Sequence, residues 1–201
     1  MKVIPIMPPS SALKGSRAIQ KEEALVHHIW EWITHDLSKQ DPQFNNMPPC
    51  PFARRALFSN RVIFHMSKDH TVAVDIKSVG DLEGFTHVLI WTNPKSLSPK
   101  KFKSWIDGQN INHFGNWMMG MHPFDPLAKK SVWKSLNMDD WGIVLVQSLT
   151  ELDTASAVLM GTTYYHGIEN ASDLIERRIA ANAWNEKGFK EKASDEEEVI
   201  H

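Results

Sequence analysis

The sequence predicts a single domain of the mixed α/β (α+β) class. The architecture expected is a two-layer sandwich whose mixed sheet contains antiparallel strands. Three observations carry this. Helical and strand-like apolar periods alternate along the chain. The segments between them are short and rich in Pro, Asn and Ser. The 201 residues, 42% hydrophobic and 23% charged, suit one soluble globular domain with appendages. Eight Trp and nine Phe supply the bulk for a core.

Residues 1–19, interrupted by Pro5, Pro8 and Pro9, lack a period and are expected to form an extended arm. From Glu22 to about Lys39 the spacing is helical, with Leu25, Ile29, Trp32, Ile33 and Leu37 on one stripe. The four prolines of DPQFNNMPPCPF end that helix, and ARRALF makes a short one after it. RVIFHMS is a strand. TVAVDIKS is expected to be a second, with Val72, Val74 and Ile76 on one face and SKDH as the hairpin connection. HVLIWT is apolar on both faces, as a central strand is. Ser98 and Pro99 then supply an N-cap and a first helical residue for a helix to about Asp107.

NWMMGM forms a short strand ending at His122-Pro123, Ser131 caps a short helix, and WGIVLVQSL is another buried strand. Residues 150–166 stay open, because TELDTASAVLM suits a helix and TTYYH a strand. Asn170 and Asp173 resemble a capping box for a helix to about Trp184. The globular part therefore spans 20–186, and 187–201 is an acidic, apolar-poor tail expected to be disordered.

Composition excludes several functions. One cysteine leaves no intramolecular disulfide framework and no multi-Cys metal site. The N-terminus lacks the apolar run of about 7–15 residues of a signal peptide. No stretch approaches the roughly 20 apolar residues of a membrane span. The expected setting is soluble and cytoplasmic, with no membrane partner. Residues 186–201 hold three Lys against five Glu and one Asp, so the net charge of −2 leaves only +1 on the remainder. That is too weak a basic field to hold a nucleic-acid backbone. No Gly-rich phosphate loop, GxSxG elbow or multi-His metal signature occurs.

Cys50 is the first candidate. With ARRALF helical, it falls at the N-cap and Pro51 at the first helical position, where the helix dipole favours thiolate. Arg54 and Arg55, one turn on, add positive charge and can receive an anionic substrate group, as can Arg177 beside Glu176 and Arg178. The alternative is that Cys50 is a small buried hydrophobe. The second candidate is His122, delivered to a strand end, with Asp125 placed to orient its imidazole. His65 and Asp75 fall outside the apolar register of their expected strands and become accessory acid–base candidates. His27, His28 and His35 belong to the first helix, whose pattern is not a zinc motif.

CPFARRALFSNRVIF, MGMHPFDP and SDLIERRIAAN resemble, in the same order, the CPFA, His-Pro and ERxIA segments of the DUF1415 family of small bacterial proteins. They bracket roughly residues 48–182. The Trp-rich stretch from Trp105 to Trp117 departs from that pattern. The resemblance implies that Cys50, Pro51, Phe52, His122, Pro123, Glu176 and Arg177 are the positions of interest; it implies no reaction.

The expectation is thus a small-molecule enzyme with Cys50, His122 and Asp125 at its centre. No cofactor or metal is required. One alternative is haem or iron held by Cys50 or His122. Another is a non-enzymatic binding module that grips its partner through exposed Trp.

Overall fold

Why the chain folds around the segment Thr86–Trp91 follows from its composition: THVLIW is apolar at successive positions, so it needs cover on both sides. The computed structural model describes residues 2–4, 17–78, 82, 84–111, 115–129 and 131–166. The elements are β1 (Lys2–Ile4), α1 (Arg17–His35), α2 (Ala53–Phe58), β2 (Val62–Ser67), α3 (Val72–Ser78), β3 (Thr86–Trp91), α4 (Pro99–Ile111), β4 (Asn116–Met121), β5 (Gly142–Ser148) and α5 (Leu149–Met160). Short 3₁₀ turns connect several of them.

The strands form one open sheet in the order β1-β2-β3-β5-β4. The β2–β3 pair is parallel and the other three pairs are antiparallel. The expected class, an α/β mixture on a mixed sheet with antiparallel strands, is the class observed. Helices cover the sheet on both sides, which is one layer more than a two-layer sandwich. On one side α1 and α2 place Ile29, Trp32, Ile33 and Leu57 against Phe64, Val88, Ile90 and Ile143. On the other, α3 and α4 place Ala73, Ile76, Phe102 and Ile106 against Leu89, Trp91, Met118 and Val144. Alternate residues of β3 serve the two cores, as the period of a strand requires.

One expected strand is a helix. TVAVDIKS forms α3, and SKDH is its entry rather than a hairpin. Ser67 Oγ accepts from Asp69 N–H at 3.0 Å, and Asp69 Oδ1 accepts from Thr71 N–H at 2.9 Å. That Asx turn starts the helix. Ala73, Ile76 and Lys77, spaced i, i+3 and i+4, are then the buried positions. The crossover also explains why β2 and β3 run parallel, which a hairpin cannot produce. Within the N-terminal arm, Lys2–Ile4 pairs with β2 and α1 begins at Arg17. Leu149–Met160 is helical, capped by Ser148 Oγ on Glu151 N–H, and residues 161–166 are turns rather than strand. The helix and tail expected beyond residue 166 lie outside the described residues, of which no helix is long and apolar enough to cross a membrane.

α4 runs four residues past Asp107, and Asn110 explains why. Its amide donates to the Met118 carbonyl and accepts from Met118 N–H, both at 2.8 Å, which clamps α4 to β4. The close approach depends on Gly120, where a Cβ would lie 2.7 Å from Phe102 Cζ. Gly120→Ala is expected to destabilise the fold by about 1–3 kcal/mol in urea unfolding, because the buried ring must move. Adding Phe102→Leu should recover part of that loss.

Lys77 is the other unusual residue of this layer. It is 1% exposed, with Nζ donating to the Gln109 carbonyl, and burial lowers its pKa from 10.5 to about 8. Between those two values the unfolded chain holds a proton that the folded chain lacks, so folding carries a cost that disappears as pH rises through the window. A shift of this size corresponds to about 3 kcal/mol. The stability of Lys77→Met relative to wild type should therefore fall by that order from pH 8 to 10.5. Parallel urea curves for the two proteins measure it.

Candidate functional site

The sheet directions gather the candidate residues at one edge. β3 and β4 are each antiparallel to β5 and so run in the same direction, which is also that of β2. The carboxyl ends of all three meet the amino end of β5, the place where open α/β sheets hold ligands. A groove of about 300 Å³ lies there, lined by Ala24, Leu25 and His28 of α1 together with Thr92, Asp140 and Trp141. Local sequence explains the lining. Thr92 follows the last residue of β3 and is bonded through its N–H to the Ser67 carbonyl at 2.9 Å. Trp141 precedes β5 and is buried in the α1-side core, while Asp140 beside it is exposed.

His28 is the chemically versatile group in this wall. Its Nε2 lies 2.7 Å from the Leu136 carbonyl, so that nitrogen carries a proton and donates it. In the neutral ring Nδ1 then keeps the lone pair, and the imidazole is held in one tautomer by a backbone oxygen. Thr92 and Asp140 are the other polar residues of the lining, the Thr92 hydroxyl donating to the Ser67 carbonyl at 3.3 Å, and Leu25 and Trp141 add an apolar wall. Few polar groups set in an apolar lining is the usual composition of a small-molecule site.

Cys50 stands elsewhere. The N-cap of α2 is Phe52, so Cys50 lies two residues before the cap rather than on it. Its N–H donates to the Leu37 carbonyl at 3.0 Å, and its carbonyl accepts from Ala53 N–H at 3.2 Å. Burial pushes the thiol pKa up, and backbone hydrogen bonds from Phe52 and Ala53 offset this only in part. The thiolate preference expected from the helix dipole is therefore reversed: desolvation outweighs it. The Tyr164 hydroxyl donates to the neighbouring Pro49 carbonyl. Burial raises the Tyr164 pKa, with Cys50 and Tyr165 adding to the effect.

His122 is at the end of β4 as expected, and it is 1% exposed. Its Nε2 donates toward the carbonyls of Pro94 and Leu97 at 3.0 and 2.9 Å, and Nδ1 accepts from Phe124 N–H at 3.1 Å. Trp91 and Phe102 pack edge-on against the ring. Asp125 Oδ1 accepts from Leu127 N–H, shaping the following turn, and does not orient the imidazole. The residues around His122 share no member with Leu37, Phe52, Ala53 and Tyr164 around Cys50.

Arg54 and Arg55 are exposed on α2, with the Arg54 guanidinium 5.6 Å above the Phe58 ring. Glu176 and Arg177 lie outside the described residues. Asp75 is exposed on α3. His27 faces Glu31 at 3.4 Å, and His35 Nδ1 lies 3.0 Å from the Glu31 carbonyl. Trp30, Trp32, Trp91, Trp105, Trp117 and Trp141 are buried or half-buried; the large exposed apolar residues include Phe58, Leu127, Val158 and Met160. Among the described residues no three or more His, Cys, Asp or Glu are placed to hold a metal ion.

No family model, curated protein or solved structure matches this chain.

Two histidine arrangements escape sequence reasoning. His28 is indistinguishable in spacing from its neighbours His27 and His35. What sets it apart is the carbonyl of Leu136, 108 residues away. His65 is 4% exposed, and its Nε2 lies 2.8 Å from His87 Nδ1 on the adjacent strand. The polar position in an apolar strand was the available signal, but its partner depends on a parallel register.

The geometry predicts slow chemistry at the thiol. Alkylation of native Cys50 by iodoacetamide should have an apparent pKa above that of a free thiol. Denaturation should accelerate the reaction at least tenfold at pH 7.5. A midpoint below the free-thiol value would overturn the assignment.

Proposed function

We propose that the protein binds a small molecule, in the cytoplasm, in the groove at the carboxyl edge of the sheet, with His28 Nδ1 as the group that accepts a hydrogen bond or a proton from it. The observation that carries this reading is the His28 imidazole fixed by the Leu136 carbonyl in the groove wall. A ring locked in one tautomer spends no orientation entropy when a ligand arrives. Leu25 and Trp141 favour an apolar or aromatic body. Asp140 and the Nδ1 acceptor favour a hydroxyl or amine at its polar end over a carboxylate. An acid–base reaction on that molecule is the enzymatic form of the proposal.

Several features favour this groove over a centre at Cys50, His122 and Asp125, whether catalytic or ligating haem or iron. Both His122 nitrogens are already engaged, and the thiol is held protonated by burial. The single cysteine agrees with a reducing compartment. Kinship with the DUF1415 family is proposed on its three short segments alone.

Benzyl alcohol, benzylamine and benzoate test the reading by amide and indole NMR. The first two should shift Leu25, His28, Thr92 and Trp141 at millimolar concentration, and benzoate should not. His28→Leu should weaken binding about tenfold, the effect of losing about 1.4 kcal/mol. Cys50→Ser should leave it unchanged. Probes that leave the groove unshifted, or that bind His28→Leu as well as wild type, would exclude it.

A further inference from the structure

Away from the groove, the His65–His87 pair has no role in the chemistry described. Both residues fall on the sheet face that α3 and α4 cover, since the alternate residues Phe64, Val88 and Ile90 face α1. The parallel register sets Ile63 beside His87 and His65 beside Leu89, so the two histidines are diagonal neighbours. Their ring planes differ by 10° and the centroids are 5.0 Å apart. That separation equals one 2.8 Å N···N contact plus a ring radius on each side, so the rings meet edge to edge in a common plane rather than face to face. One proton lies between two opposed lone pairs. This arrangement leaves no bite for a cation to enter without forcing the strands apart.

The tautomers follow from burial. His65 Nδ1 is the one buried side-chain nitrogen or oxygen among the described residues that lacks a partner. An orphaned N–H costs more than an orphaned lone pair, so His65 donates through Nε2 to His87 Nδ1 and leaves its own Nδ1 bare. A further proton must go to that nitrogen, creating a buried cation with nothing to receive its hydrogen bond.

We propose that this pair is an acid-operated latch. It keeps β1 and β2 docked on the sheet while both rings are neutral, and it loosens them when the pair takes up a further proton. The link to β1 is direct, because Val3 is the register partner of His65. Among the described residues β1 has β2 as its one neighbour and is only three residues long, against six or seven for the other strands, so it is the most weakly held.

The surrounding charges do not offset the cost. α3 offers Asp75, which is exposed, and Lys77, whose Nζ donates to the Gln109 carbonyl. α4 offers Lys100, Lys101, Lys103 and Asp107, all exposed. β5 has no charged residue, and β1 sets Val3 rather than Lys2 opposite His65. Among the described residues, the one charge that acts on His65 is His87 itself. Burial first, and His87 second, lower the His65 pKa to about 4, and burial lowers that of His87. A ring that titrates near 6.5 when released binds protons more readily in the open state. Docking therefore weakens progressively as pH falls from 6.5 toward 4, and is unaffected above that window.

Hydrogen exchange on the full chain, corrected for the intrinsic pH dependence of each amide, tests this. Protection of Ile4 and Phe64 should fall at least tenfold between pH 6.5 and pH 4, with Ile143 and Val144 unchanged. His65→Phe, which fills the site with a ring that does not titrate, should abolish the selective loss. His87→Asn, at a half-buried position, should make the loss smaller, because removing the neighbouring charge brings the docked His65 pKa back toward its open-state value. A uniform loss across the sheet, constant protection, or the same selective loss in His65→Phe would each overturn the proposal.

Discussion

The demand that both sides of β3 be covered organises the molecule. A strand with apolar residues on both sides cannot lie at the border of a sheet or face water. It pairs with β2 and β5, and it separates two helical layers. Trp91 at its end shows how tightly this is met. The indole is fully buried, its Nε1 donates to the Lys68 carbonyl at 3.1 Å, and its ring packs on Phe102 and His122. The residue paired with it across β5 is Gly142, where a Cβ would lie 3.0 Å from Trp91 Cε3. His122 belongs to this same packing problem. It closes the end of the aromatic layer, with Nε2 on carbonyls of the β3–α4 connection and Nδ1 on the Phe124 N–H that follows β4.

How much of this was legible in the sequence depends on whether a signal was local. β2, β3, β4 and β5 announce themselves by continuous or alternating apolar runs, and α1 and α4 by stripe and cap. The layer formed by α3 was hidden, because VAVDI fits a period of two as well as one turn of helix. The decision belongs to Asp69 and Ser67, which build the entry turn. It belongs also to the parallel pairing, which needs a crossover of some kind. β1 was hidden for a different reason: three residues are too few to carry a period.

The candidate site was less legible than the fold. Cys50 and His122 stand out because they sit in short motifs with prolines. Prolines mark where the backbone turns, and turns here demand capping and burial as much as chemistry. His28 and His65 sit inside regular elements, where sequence gives each a face but not a partner. Their distinguishing neighbours, Leu136 and His87, come from the order in which strands are laid down. Chemistry that depends on tertiary partners is invisible until topology is known.

The clamp of Asn110 on Met118 has a consequence for how copies of this protein meet. Among the described residues β4 is the last strand on its side of the sheet, and the outer row of amides and carbonyls on such a strand is a template on which another chain can extend the sheet. One side-chain amide occupies both groups of Met118 and so mimics a short piece of the missing neighbour. Asn carries a donor and an acceptor in the spacing of a peptide unit, which a Leu or a Ser at the same place could not supply. The border is thereby closed at its centre without a further strand, and self-association by strand addition is blocked there.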